Sequence, residues 1–206
     1  MSALLGYLKQ QFFLLKRKID RFTLRNKDFT LFSNDCWGGE LYQYFGLEYN
    51  TPFIGLYVMA PCYIKFLKNP DYYLNLELTF TQISKYPAVE EARSNFKNSF
   101  PVGVLDDIEI QFMHYNSEKE ALLKWNRRKK RINWDNIYVK FDGGKDGATN
   151  ELIEEFDQLP YRKICLVPEP YTAISSAVYV PNWESDGAKM FPKTMKVFKI
   201  KKWLNN

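Results

Sequence analysis

Seven consecutive residues, Ser33-Asn34-Asp35-Cys36-Trp37-Gly38-Gly39, bring together a hydroxyl, an amide, a carboxyl, a thiol and an indole. Gly38 and Gly39 let the backbone turn tightly and approach a ligand, and a helix beginning there offers free N–H groups to an anion. The stretch is neither a G-x-G-x-x-G fingerprint nor a lysine-bearing phosphate loop. Anion binding there rests on general backbone chemistry. Cys36, close to a helix start, could act as a nucleophile through a lowered pKa. His114 is the only histidine of the chain and so the only imidazole that could serve as its base. The plain alternatives are a buried inert thiol and a structural histidine. Trp37 could stack on a sugar or a base, or could close the core.

A second candidate is Asp106-Asp107-Ile108-Glu109. Neighbouring carboxylates can hold Mg²⁺ or Mn²⁺ beside substrate phosphates, because hard cations prefer oxygen ligands. Asp106 and Asp107 are the candidate metal ligands, and Asp107, Glu109, His114 and Cys36 the candidate catalytic groups. A solvated turn between two strands is the other reading. Asp142 and Asp146 lie in a further glycine-rich turn, Asp142-Gly-Gly-Lys-Asp-Gly147, where structural roles are common. The run Arg127-Arg-Lys-Lys-Arg131 suits a helix C-terminus; Arg128 and Arg131 are its candidates for a phosphate or headgroup contact. One histidine excludes a two-histidine metal site within the chain. Cys36, Cys62 and Cys165 are odd in number and widely spaced, against a disulfide framework and for a reducing cytoplasm.

These residues need elements to position them. Phe29–Ser33, Phe53–Val58, Val102–Leu105, Ile108–Tyr115, Ile137–Phe141 and Ile164–Val167 read as strands. Asn75–Phe80 alternates apolar and polar residues and reads as a half-exposed edge strand. Glu40–Phe45, Tyr63–Leu67, Ser117–Arg131, Thr149–Gln158 and Val197–Leu204 read as helices. Ser117-x-x-Glu120 is a capping box, and Thr149 with Glu151 suits the positive end of a helix dipole. Residues 81–100 show little pattern and read as a long loop. Strands alternating with helices predict an α/β fold of three layers, with a mainly parallel sheet, flanking helices and an antiparallel edge strand. Without an internal repeat or a Gly/Pro/Ser-rich linker, a single domain over 1–206 is expected. In such sheets ligands bind beyond the carboxyl ends of the strands. Ser33, Asn34, Asp35, Trp37, Gly38, Gly39 and Asp142 would converge there with His114.

With 206 residues, 46% hydrophobic and 26% charged, the chain is long and apolar enough to bury a core. The net charge of +5 is unevenly placed. Residues 1–28 carry seven basic and two acidic side chains, and residues 187–206 carry six basic and none acidic. The intervening body is mildly acidic, so a broad basic face for nucleic acid is not expected. Within 1–28, Leu4, Leu8, Phe12, Leu15, Ile19 and Phe22 recur at helical spacing, predicting a basic amphipathic N-terminal helix. One reading packs its apolar face on the body with its charges in water. The other lays it on an anionic membrane surface. Lys9, Lys16, Arg17 and Lys18 interrupt the apolar residues, so neither a membrane span nor a secretory signal is expected.

Phe32-Ser-Asn-Asp-Cys-Trp-Gly-Gly39, Pro101-Val-Gly-Val-Leu-Asp-Asp-Ile-Glu-Ile110 running to His114-Tyr115, and Lys124-Trp-Asn-Arg-Arg-Lys-Lys-Arg-Ile-Asn-Trp134 resemble a bacterial family. It is often labelled exopolysaccharide biosynthesis protein and also called domain of unknown function 1919. The resemblance runs from about residue 25 to 170. It implies an α/β fold and a role around surface-polysaccharide assembly, and it supplies no reaction.

The expectation is therefore a cytoplasmic protein of exopolysaccharide or capsule synthesis, peripheral at the inner face of the membrane if its first helix binds lipid. It would act as a glycosyltransferase or acyltransferase on a nucleotide sugar or lipid-linked glycan, with Mg²⁺ or Mn²⁺ as candidate cofactor. The alternative is a non-catalytic glycan-binding or assembly partner in the same pathway.

Overall fold

The computed structural model describes residues 2–95 and 99–206, with the side chains of 2–5 and 9 outside the description. The side chain of Leu4, the first residue of the N-terminal apolar stripe, and the tract 96–98 thus lie outside the description. In chain order the elements are α1 (Ser2–Thr23), β1 (Thr30–Ser33), α2 (Trp37–Phe45), α3 (Ala60–Lys68), α4 (Pro70–Asn75), β2 (Thr79–Thr81), α5 (Pro87–Asn95), β3 (Val102–Leu105), β4 (Ile108–Gln111), α6 (Glu118–Lys129), β5 (Ile137–Asp142), α7 (Asn150–Gln158), β6 (Arg162–Val167), β7 (Ala177–Tyr179), α8 (Gly187–Val197) and α9 (Ile200–Asn205).

A parallel sheet in the order β1-β5-β6-β7 forms the centre. Side chains alternate across it, as strand geometry requires. Leu31, Tyr138, Ile164 and Leu166 enter one core with Trp37 and Leu41 of α2, Met190 and Phe191 of α8, and Ile200 and Leu204 of α9. Phe32, Val139, Phe141, Cys165 and Val167 enter another with Tyr63 and Phe66 of α3, Trp125 of α6 and Phe156 of α7. Both faces of the sheet are covered, which gives the expected three layers. The antiparallel strands form a sheet of their own, β2-β3-β4, with β2 at its edge. Leu105, Ile108 and Ile110 attach it to the second core.

Several local readings change. The strand expected over Asn75–Phe80 is found only as β2, because Asn75 closes α4 and the chain turns before Thr79. Phe53–Val58 has strand composition but contributes one bridge, Tyr57 to Gln111, because Gly55 at φ +71° turns the chain and Ile54 N–H is spent on Pro52 O. Residues 81–100 include α5, opened by Pro87 at a position where a missing N–H costs nothing. The C-terminal helical tract is two helices, α8 and α9. The helix caps form as expected: Ser117 Oγ accepts from Glu120 N–H at 3.2 Å and Thr149 Oγ1 from Leu152 N–H at 3.4 Å.

The N-terminal helix docks in an unexpected way. Arg17 and Arg21 donate to the carbonyls of Tyr44 and Gln43, with Arg21 at 2.8 Å from each. Those carbonyls belong to the C-terminal turn of α2, which carries partial negative charge; the capping Gly46 N–H reaches Gln43 O at 3.2 Å, and the arginines add to it. Gly46, at φ +68°, makes room: a Cβ there would come within 2.9 Å of the Arg21 guanidinium carbon. Asp20 accepts from Tyr44 Oη at 2.7 Å and pairs with Lys201 at 2.8 Å. Polar side chains, with Phe13 against Tyr44, make this attachment. The stripe Leu8, Phe12, Leu15, Ile19 and Phe22 stays exposed. Among the described residues no helix is long and apolar enough to cross a membrane.

Candidate functional site

The parallel sheet ends, on its carboxyl side, in a network of charged groups withdrawn from water. Lys140 lies inside β5, in the run Ile137-Tyr-Val-Lys-Phe-Asp142, on the face that Ser33 of β1 also presents. Its side chain is wholly buried. The ammonium reaches Asp35 Oδ1 at 2.7 Å and Asp142 Oδ2 at 3.7 Å. Asp35 follows β1, and its Oδ1 also accepts from Trp37 N–H at 3.1 Å and from Ser33 Oγ at 3.2 Å. A carboxylate at the start of α2 suits the free N–H groups there. Lys145, from the turn after β5, meets Asp35 Oδ2 at 3.1 Å and Asp146 Oδ2 at 3.7 Å. Its ammonium donates to Ser185 O at 2.7 Å.

Backbone bonds lock the pieces together. Asn34 Oδ1 accepts from Asp142 N–H at 2.8 Å, and Asn34 O from Val58 N–H at 2.9 Å. Asp146 O accepts from Ala60 N–H at 2.8 Å, tying the β5–α7 turn to the start of α3. Asp146 holds φ +55°, a conformation uncommon outside glycine, though aspartate is among the residues that visit it. Gly187, at the start of α8, leaves room for Asp35: a Cβ at Gly187 would stand 2.7 Å from the Asp35 carboxyl carbon.

The charges set each other's protonation. Burial alone would raise the Asp35 carboxyl, but the Lys140 and Lys145 ammoniums outweigh it and hold it well below the carboxylate range. Asp142 goes the other way, to about 6, because burial, with the Asp35 charge adding, exceeds the help of the lysines. Asp146 is raised, by burial first. Burial opposes the charged form of Lys145, yet the three carboxylates around it keep it protonated. Asp142 Oδ2, Asp146 Oδ2 and Asn34 Nδ2 are shielded from water and make no hydrogen bond. Native structures leave few buried polar atoms unpaired, so each of these calls for a physical account.

The network opens into a cleft of about 670 Å³. Asp35, Cys36, Lys145, Asp146, Asp186 and His114 give it a polar side, and Met59, Val89, Phe100 and Met113 an apolar one. Of the residues singled out from sequence, Asp35, Cys36, His114 and Asp146 line this cleft, while Asn34 and Asp142 support it from behind.

The remaining candidates sit elsewhere. Trp37 is fully buried, its Nε1 donating to Thr194 Oγ1 at 3.1 Å and its ring against Phe191, so it closes the core. Gly38 packs against Ser33, whose Cβ lies 2.8 Å from where a side chain would begin. That makes the glycine a packing requirement, with Ser33 bonded inward to Asp35. Gly39 is buried inside α2. Arg128 is buried and donates to Tyr115 Oη at 2.6 Å, and Arg131 pairs with Glu48.

Asp106 and Asp107 form the turn between β3 and β4. Lys65 at 2.6 Å and Tyr73 at 3.0 Å already occupy Asp107, and Tyr72 occupies Asp106. A divalent cation would have to displace an ammonium, so the donor set does not fit one. Among the described residues no three His, Cys, Asp or Glu are grouped to hold a metal ion. Glu109 is buried with both oxygens satisfied, by Ser84 Oγ and Lys85 N–H. Cys36 corrects the expectation of an activated thiol. Burial, then the Asp35 charge, pushes it up to about 12, which leaves it without thiolate at neutral pH.

Lys140, Lys145 and Asp186 were missed from sequence. The signal for Lys140 was present: a lone cation in an otherwise apolar parallel strand needs a buried partner.

The family model described as domain of unknown function (DUF1919) matches residues 8–205. A protein of Haemophilus influenzae, described as an uncharacterized protein, is 37% identical over 177 residues, which cover 85% of this chain and 79% of that one.

Proposed function

The chain belongs to the DUF1919 family, and from the geometry of its cleft we propose that it is a transferase acting on a glycan hydroxyl in surface-polysaccharide assembly. The observation that carries this reading is Asp146: a cleft-lining carboxyl, raised in pKa by burial, with the Lys145 ammonium 3.7 Å from its Oδ2. A carboxyl tuned upward by burial can take a proton from an acceptor hydroxyl, a contribution of about 10²–10⁴ in rate. The neighbouring ammonium then balances the charge that develops. His114, exposed at the cleft, is a second proton carrier. The polar side suits sugar hydroxyls and the apolar side the face of a pyranose or a lipid chain.

In this reading the donor is a nucleotide sugar or a lipid-linked glycan, and the setting is the reducing cytoplasm that three widely spaced cysteines suit. With Asp35 and Asp146 against Lys145 and Asp186 also lining the cleft, the site offers little net positive charge to a bare phosphate. The apolar wall and the hydroxyl-binding side therefore contribute most of the affinity in this reading.

The test is a thermal-shift panel of nucleotide sugars, nucleoside diphosphates, acetyl-CoA and short glycans, with and without Mn²⁺, followed by transfer assays on the ligands that bind. A ligand at 100 times its Kd adds about 2.7 kcal/mol, or roughly 5–10 °C for a domain of this size. Asp146→Asn is expected to retain the fold and lose turnover by about 10²-fold or more. Wild-type turnover in both Asp146→Asn and His114→Ala overturns the assignment. Glycan binding with no transfer from any donor makes the protein a binding partner in the pathway.

A further inference from the structure

The N-terminal helix carries a surface that the body leaves uncovered. Leu8, Phe12, Leu15, Ile19 and Phe22 are each more than half exposed, with Phe12 at 71% and Phe22 at 88%. At roughly 100° per residue they fall within an arc of about 80°. The attachment residues Phe13, Arg17, Asp20 and Arg21 occupy the opposite side. An ordinary amphipathic helix turns its apolar face inward and its charges to water. This one is held by its arginines with the apolar stripe facing away from the body.

We propose that α1 is an interfacial helix that lies on an anionic lipid bilayer, its apolar stripe in the headgroup boundary. Charge complementarity commits the surface to that occupant. Lys16 and Lys18, both exposed, flank the stripe about 80° to either side, where lysines can extend to lipid phosphates while their stems follow the apolar face. Lys16 shares a cleft with Lys199 and Lys202, so the start of the C-terminal helix α9 adds positive charge along the same edge, while Lys201 there is paired with Asp20. Asp20, the only acid in α1, is spent on Tyr44 and Lys201. A second copy of the helix would bring like charges together around the stripe, with no free carboxylate in α1 to relieve them. The helix is about 33 Å long, but Lys16-Arg17-Lys18 breaks its apolar run about two-thirds of the way along, so it lies on the membrane and does not span it. This inference is independent of the chemistry proposed for the cleft.

The experiment is vesicle flotation of the full chain with liposomes of pure phosphatidylcholine and of a 70:30 mixture with phosphatidylglycerol. The expected result is binding to the mixture at least tenfold tighter than to phosphatidylcholine, weakened by raising salt. Two separate double variants, Phe12→Ser/Phe22→Ser and Lys16→Gln/Lys18→Gln, are each expected to weaken it at least tenfold. All four side chains are exposed, and an unchanged thermal midpoint confirms that the fold is retained. Absent binding, equal binding to both vesicles, or binding indifferent to the phenylalanine pair overturns the proposal. So does a concentration-dependent dimer in light scattering that the phenylalanine variant abolishes, since the stripe would then be a self-association surface.

Discussion

The Lys140 ammonium lies 2.7 Å from Asp35 Oδ1, and neither side chain meets solvent to more than 2% of its surface. Breaking a buried pair by removing one partner strands the other charge, at about 3–5 kcal/mol. Lys140→Met is expected to cost about 3 kcal/mol in urea unfolding, at the lower end because Lys145 stays with Asp35. Pairing it with Asp35→Asn removes the stranded charge and is expected to recover part of the loss. A Lys140→Met protein within about 1 kcal/mol of wild type would show that water reaches this pair.

Asp142 gives stability a pH dependence of unusual sign. Its folded pKa of about 6 stands above its ordinary 3.8, so between these values the folded chain holds a proton that the unfolded chain has released. Stability from this group is fullest below pH 4 and falls as pH rises to about 6, opposite to the usual acid-labile carboxylate. Asp35, held low by its lysines, acts in the usual direction, with a contribution present above pH 4 and lost in acid. Relative to wild type, Asp142→Asn is expected to gain on the order of 2 kcal/mol between pH 4 and 6.5 and no more above that. Denaturant melts across this range measure the difference; a constant difference would assign the carboxyl an ordinary pKa.

Cys36 is predicted to be slow to alkylate. With its thiol pushed up to about 12 by burial, iodoacetamide at pH 7.5 should modify it more slowly than free glutathione, with a rate still climbing at pH 10. Cys36→Ser is expected to keep full turnover. Labelling faster than glutathione, read by peptide mass, would restore the thiol as a nucleophile.

Asp107 and Glu109 should separate cleanly. Asp107 is half exposed beside Lys65, and Asp107→Asn is expected to cost at most about 1 kcal/mol with activity unchanged. Glu109→Ala leaves Ser84 Oγ and Lys85 N–H without their acceptor and is expected to cost about 1–3 kcal/mol. Loss of turnover in a folded Asp107→Asn protein would return that turn to the candidate site.

The sheet was legible because its strands are short apolar runs and its helices start on Ser117 and Thr149, whose side chains do the capping read from them. Asp35, Cys36 and His114, expected together beyond the carboxyl ends of the strands, line one cleft. Expectation failed where residue type misleads about burial. Trp37 resembles a stacking platform but fills the core, and Asp106-Asp107 resembles a cation site but is occupied by Lys65, Tyr72 and Tyr73 from α3 and α4. Such neighbours come from tertiary packing and leave no trace in local spacing. The docking of α1 escaped for the same reason: periodicity locates an apolar stripe but does not say which side of the helix the body will take.

Trp37 Nε1 meets Thr194 across 157 residues of chain, and Asp35 is seated against Gly187. During synthesis at roughly 5–20 residues per second, the β1–α2 segment leaves the ribosome about 8–30 s before these partners exist. For that interval an indole and a carboxylate destined for burial stand in water, and the cleft lacks its far wall. Site assembly therefore follows the synthesis of α8, and it needs a long-range closure of the kind that slows folding.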